Sequence, residues 1–397
     1  MIKKPALHVL LLALAIVFSA SCAKLPSGSD TKAESRVRDF EMNSATAGSE
    51  RVFDTEDSVY YLVLPDHGSE RVYVSDKVNK DWLPLCSKPN CTHADESCDS
   101  VVEGSAMSKM WLCGNSIYYI VLGSRAVDDS PALWRMRLDG SAHELLLRIP
   151  LPDDEAYSEH GWSWMFHNKY AILTFRGGYE GPGGEMISVG KYFIIDLGGD
   201  RLEVKPLEIR SDGESSSYLG TMIAGRGNFI YSVILPNGDN ILYRTDLETG
   251  ERIEVGVLPV VPELFDCTLE GDRLIMCDGW DSGAIYEFSL ETGETKVLAQ
   301  AAPRTQLWHR YYKGRVYGAH YGLEGSPFAT GVFELDGSPI QILDGSTYEK
   351  HMMFSFMVGD LAFGYVSGED YIRKPPEYYL DLTKVGTEEF RWRKWGD

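Results

Sequence analysis

Apolar and polar positions along the chain alternate in short runs broken by Gly, Asn and Asp, and no long alanine- or leucine-rich helical stretch follows residue 21. A period of two marks half-buried strands. One pattern recurs: a short apolar strand, a tight turn, a second apolar strand, a variable loop, then an aromatic strand ending in a polar hairpin. The aromatic strand and its hairpin read LWRMRLDGSAHELLL (133–147), KYFIIDLGGDRLEVK (191–205), ILYRTDLETGERIEV (241–255), AIYEFSLETGETKVL (284–298) and GVFELDGSPIQIL (331–343). Fainter copies are ERVYVSDKVNKDWLPL (70–85) and EYYLDLTKVGTEEFRW (377–392). The leading hairpin recurs in step, from EDSVYYLVL (56–64) and CGNSIYYIVL (113–122) to VGDLAFGYVS (358–367). Seven units of four strands predict an all-β fold: a seven-bladed β-propeller of four-stranded antiparallel blades spanning residues 51–397.

The N-terminal segment follows different rules. In MIKKPALHVLLLALAIVFSASC, Lys3 and Lys4 precede an apolar run from Leu7 to Phe18, and Ser19-Ala20-Ser21 supply the small residues of a cleavage site. The run is too short for a hydrocarbon core of ~30 Å. Residues 1–21 therefore read as a signal peptide. Cys22, directly after the small residues, resembles the lipid-modified cysteine of a bacterial lipobox, although Ser19 departs from the aliphatic residue that pattern prefers. Residues 22–50, rich in Ser, Thr, Ala and Gly, carry too little apolar surface to offset chain entropy and read as a lipid-anchored flexible tether. The expected location is outside the cytoplasm, on the outer side of the cell membrane, with the lipid as the only membrane contact.

Composition narrows the partners. With 38 Lys+Arg against 59 Asp+Glu the net charge is −21, which excludes nucleic-acid binding by phosphate neutralisation and a polybasic grip on anionic lipid. The expectation is a monomer that meets a cell-surface glycan or protein.

The LDGS and DLETG hairpins, together with LCSKPNCTHADESC (85–98), resemble the propeller lipoproteins of anaerobic Gram-positive bacteria, relatives of the low-density-lipoprotein-receptor-like and TolB-like propellers. That resemblance spans nearly the whole chain after the signal peptide. It implies a cell-surface or periplasm-like location and no particular activity.

Candidate chemistry is sparse. Beyond Cys22 the cysteines number six: Cys86, Cys91, Cys98, Cys113, Cys267 and Cys277. An even number in an exported chain favours disulfides. Cys267 and Cys277 flank the hairpin CTLEGDRLIMC and are expected to face each other, with two reduced buried thiols as the alternative. At least one disulfide is expected among Cys86, Cys91, Cys98 and Cys113. Zinc on Cys86, Cys91, His93 and Cys98 is the alternative, disfavoured by a C-x4-C-x-H-x4-C spacing unlike the short zinc knuckles. No cofactor is expected.

No G-x-S-x-G, H-E-x-x-H or G-x-x-x-x-G-K-[ST] occurs, so no catalytic residue is assigned and no enzymatic activity is expected. Arg148-Ile149-Pro150 and SLETGETKV (289–297) faintly echo sialidases, which leaves a propeller glycosidase or lyase as one alternative and a passive envelope scaffold as another. The long loops expected on one face hold the candidate ligand contacts: His160, Trp162, Tyr218, Trp280, Trp308 and His309. Aromatic side chains on a rigid scaffold suit a sugar or a peptide.

Overall fold

Each repeat folds into one antiparallel sheet of four consecutive strands, and there are seven such sheets, arranged as a β-propeller. The computed structural model describes residues 51–397 with interruptions, the longest at 122–129, 150–161, 321–328 and 344–351. The expected signal peptide, Cys22 and the tether lie outside the described residues. Among the described residues there is no α-helix, and no helix long and apolar enough to cross a membrane.

Blade 1 comprises Val52–Asp54, Ser58–Val63, Glu70–Asp76 and Leu83–Pro84, with Val101–Val102 added on the outer side of the third strand. The first strands of blades 2 to 7 are Lys109–Cys113, Trp162–His167, Tyr218–Gly225, Cys267–Glu270, Gln306–Tyr312 and Met352–Val358. First strands of neighbouring blades touch: blade 1 meets blades 2 and 7, blade 3 meets blades 2 and 4, and blade 5 meets blade 6. These strands therefore form the inner ring. Because every blade repeats the same topology, the first residues of the inner strands share one end of the central channel.

Apolar residues on both faces of each sheet explain why blades stack rather than face water. The core is a ring of clusters between blades. Leu62, Val72 and Leu85 of blade 1 pack on Met110, Tyr119 and Met136 of blade 2. Ile230 and Leu242 of blade 4 pack on Leu274 and Phe288 of blade 5, and Val332 of blade 6 packs on Ala362 and Leu380 of blade 7. Each fully buried Leu, Val or Phe contributes about 1.5–3 kcal/mol, so every junction holds several such increments.

The LDGS turns show how sequence sets local geometry. Asp139 accepts the Ser141 N–H at 2.9 Å and its hydroxyl at 2.6 Å, and Asp336 does the same for Ser338. These bonds draw both carboxyls below their usual range. Gly140 adopts φ +82°, and a Cβ there would collide with the Leu85 carbonyl oxygen. Glycine is required at this turn by conformation and by space.

Among the described residues no strand from one end of the chain enters the sheet of the other end. Blade 7, made of Met352–Val358, Leu361–Val366, Tyr378–Asp381 and Arg393–Lys394, meets blade 1 through a shared cluster that includes Val52, Tyr61, Phe356 and Trp395. Trp395 packs against Trp82, Phe363 and Tyr379 with ring centroids 5.9, 4.9 and 5.1 Å away. Its indole N–H donates to Ser75 Oγ at 2.8 Å, and the Trp82 indole donates to the Pro376 carbonyl at 3.0 Å. The Lys80 ammonium lies 4.2 Å above the Tyr379 ring and also bonds its hydroxyl.

Candidate functional site

The strongest concentration of chemistry is the segment that leaves blade 1 after Pro84 and returns as Val101–Val102. Both ends are fixed on one strand: Leu83 pairs with Val74, and Val101 pairs with Arg71. Between Cys86 and Cys98 every residue is exposed except Cys86, Cys91, His93 and Cys98. Their four ligand atoms all lie within 4.8 Å of one another. Left-handed backbone at Asn90 (φ 61°) and His93 (φ 55°) bends the segment inward, a conformation costing ~1–3 kcal/mol per non-glycine residue. His93 Nδ1 is 3.2 Å from Cys98 Sγ, and Cys98 Sγ is 3.0 Å from Ser100 Oγ.

Burial tends to raise the Cys98 thiol, but hydrogen bonding from Ser100 and the thiols of Cys86 and Cys91 bring it below its ordinary value. For Cys91 a backbone bond from His93 pulls down, while desolvation and the neighbouring Cys86 and Cys98 push up and prevail. Of Cys91 and Cys98, the thiolate is favoured at the buried Cys98. Three thiols and one imidazole at this distance can hold a tetrahedral metal ion.

Polar contacts fix the strap to blade 2. Asp99 pairs with Lys88 at 2.8 Å and accepts the Ser87 hydroxyl at 2.6 Å. With its Nε2–H donating to the Asp99 carbonyl at 2.9 Å, His143 accepts the Tyr119 hydroxyl on Nδ1 at 2.8 Å. Ser100, Asp99 and His143 carried no sequence signal, because their role depends on where the strap lands.

The structure places the cysteines in three settings. Cys86, Cys91, Cys98 and Cys113 are thiols in the structure, and Cys113 stands apart, packed with Trp111, Phe166 and Ala171 between blades 2 and 3. Burial, with Asp196 nearby, raises its thiol. A disulfide from Cys113 to the strap does not fit that placement. In blade 5 the register seats Cys267 opposite Met276, leaving Cys277 one position further, on the alternate face of the strand pair. Cys277 instead packs beside Ile275, Ile285 and Val316 between blades 5 and 6.

The candidate ligand contacts divide. His160 and Trp280 lie outside the described residues. Trp162 and Tyr218 are the first residues of the inner strands of blades 3 and 4, while Trp308 and His309 lie within that of blade 6. They belong to the inner ring rather than to loops. Lys109, which sequence reasoning missed, opens the inner strand of blade 2 and so shares the channel end with Trp162 and Tyr218. Part of its surface stays accessible, yet protein surrounds it, and burial pushes its ammonium down to about 7. A lysine heading the apolar strand KMWLC was the available signal. Arg148 ends the outer strand of blade 2 opposite Ala132, and SLETGETK forms an outer hairpin of blade 5, so both sialidase echoes are ordinary blade structure.

No protein-family model matches the chain, and no curated protein matches it. Solved structures do. A prolyl endopeptidase aligns with TM-score 0.51 and 14% identity over 99% of this chain and 54% of that one. Pyrococcus horikoshii acylaminoacyl peptidase gives 0.51 and 12% over 90% and 52%, and a puromycin hydrolase gives 0.50 and 13% over 89% and 53%. The chain spans about half the length of these proteins. At such identities the likeness shows the propeller fold. It also corrects the expectation of no enzymatic activity: the matched structures are peptidases and a hydrolase, so missing catalytic motifs in this chain do not separate it from enzymes.

Proposed function

We propose that this chain is an exported, lipid-anchored propeller of the surface-lipoprotein kind that binds a peptide or protein segment at the end of the channel where the inner strands begin. The observation that carries this reading is the placement of Trp162 and Tyr218 at the heads of adjacent inner strands, with Lys109 heading the strand before them. Two aromatic residues and a desolvated lysine at the heads of three successive inner strands are suited to an extended ligand with apolar side chains and a carboxylate. The fold it shares with peptidases puts peptides ahead of glycans. The net charge of −21 favours a neutral or basic partner.

The test is a peptide and glycan array probed with the full chain carrying Cys22→Ala, scored for binding and for cleavage. Peptide binding is expected, and Trp162→Ala is expected to weaken it about 30-fold, the ~2 kcal/mol of an interface hot spot. Undiminished binding by Trp162→Ala would remove the channel mouth from the reading, and glycan-only binding would replace the ligand class.

The anchor makes a separate prediction. Cys22→Ala should release the protein into the medium with an unchanged β-sheet circular dichroism spectrum, because the lipid site and the blades are joined only by residues 23–50. Retention of the variant in the membrane fraction would end the lipoprotein reading.

A further inference from the structure

We propose that Cys86, Cys91, His93 and Cys98 form a closed structural site for one zinc-type divalent ion that staples the blade 1 strap against blade 2. From Cys86 through Ser97 no residue is fully buried, so apolar burial within that stretch offsets little of its chain entropy. The side chains turned away from solvent there are the ligands themselves, and the first buried residue on the return is Cys98. Exposed hydrogen bonds from Ser69 to Glu96 and from Arg71 to the Asp95 carbonyl tether the strap's returning half, and a cross-link at the ligand cluster would fix its centre.

Geometry selects the kind of cross-link. A tetrahedral ion with Zn–S bonds of about 2.3 Å holds its sulfurs about 3.8 Å apart, within the 4.8 Å that bounds these four atoms. A disulfide joins two sulfurs, and the strap has three, with Cys113 held elsewhere in the core. Pairing any two would strand the third thiol beside His93, whose Nδ1 is aimed at Cys98 Sγ. Three thiolates and a neutral imidazole use every group. Ser100, at 3.0 Å from Cys98 Sγ, completes the site as an outer donor that favours the thiolate. Four protein ligands leave no open position, which makes the role structural rather than catalytic. On binding, the three thiols give up their protons to solvent, so affinity rises with pH until they are ionised.

The ion would act on more than the loop. The Asp99 carbonyl, one residue past Cys98, receives His143 of the blade 2 hairpin, and Leu85, one residue before Cys86, is buried against blade 2. Clamping Cys86 to Cys98 therefore fixes both contacts.

The experiment uses the full chain carrying Cys22→Ala, purified under reducing conditions and loaded with zinc or cobalt(II) alone. One equivalent should remain after dialysis, cobalt should show the visible bands of tetrahedral thiolate coordination, and a chelator should expose three thiols to a thiol reagent. Cleavage after the exposed Glu96 by a glutamyl endopeptidase should become about tenfold faster once the metal is stripped. Cys98→Ser should weaken binding by more than the roughly 10–100-fold that outer-shell changes cost, and Ser100→Ala should fall inside that range. His93→Cys provides a gain-of-signal variant: it should keep one cobalt and add thiolate charge-transfer intensity. Cys113→Ala should leave the stoichiometry at one. Binding of no metal, a disulfide between two strap cysteines in the reduced-and-reoxidised chain, or a cobalt spectrum unchanged by His93→Ala would overturn the proposal. None of these readouts depends on the ligand at the channel.

Discussion

Trp395→Ala should cost about 4 kcal/mol of unfolding free energy, within the range of buried aromatic truncations, and should be the most damaging single change at the ring seam. Trp395 is 7% exposed and touches both partners: Phe363 and Tyr379 of its own blade, Trp82 of blade 1. Removing the indole also leaves Ser75, 1% exposed, with its 3.4 Å bond to the Asp76 carbonyl and takes away the N–H that its hydroxyl accepts at 2.8 Å. Trp395→Phe keeps the stacking and loses that bond, so it should cost only about 1–2 kcal/mol. Urea unfolding followed by tryptophan-independent circular dichroism gives both values. A loss below about 1 kcal/mol for the alanine variant would mean the seam is held by something other than this cluster.

Lys109 should make the fold more stable as pH rises from 7 to 10. Burial lowers its folded value from 10.5 to about 7, so between those limits the unfolded chain binds the proton that the folded chain has released. Unfolding therefore takes up protons, and stability increases with pH across the window, by about 3 kcal/mol at ~1.4 kcal/mol per unit. Below pH 7 the penalty is complete; above 10.5 it is gone. Lys109→Met should flatten this rise and stabilise the protein at pH 7. Denaturant unfolding at pH 7, 8.5 and 10 for both chains is the measurement. Parallel profiles would show that Lys109 does not titrate in this window.

The blades were legible because they are local. Alternation, an Asp that bonds the next Ser and a glycine that turns the chain act within a few residues, and LWRMRLDGSAHELLL did become Ala132–Arg137 and Glu144–Arg148. The misreadings came from quantities a pattern does not fix. The blade 5 turn centres between Gly271 and Asp272, pairing Glu270 with Arg273, and that half-residue offset puts Cys267 opposite Met276 instead of Cys277. Trp162, Tyr218, Trp308 and His309 read as loop residues because polarity blurs at strand ends, yet they are in inner strands. The strap cluster was visible as a list of ligands but not as a site, since its convergence depends on left-handed backbone at Asn90 and His93, which residue type does not demand.

A ring built from seven self-contained sheets also has a temporal order. Each strand finds its partners among its nearest neighbours in sequence, so blades have low contact order and can form as the chain emerges, N-terminus first. The contact with the greatest sequence separation is the seam, where Trp395 meets Ser75. Closing a loop of that length is entropically mild, since each doubling of length adds only ~0.6 kcal/mol, and the aromatic cluster exceeds it several-fold. Circularisation is then the last step of folding and the first of unfolding. Before it, blades 1 and 7 hold their aromatic faces open, which makes the interval between blade formation and closure the time when this chain is most exposed to aggregation.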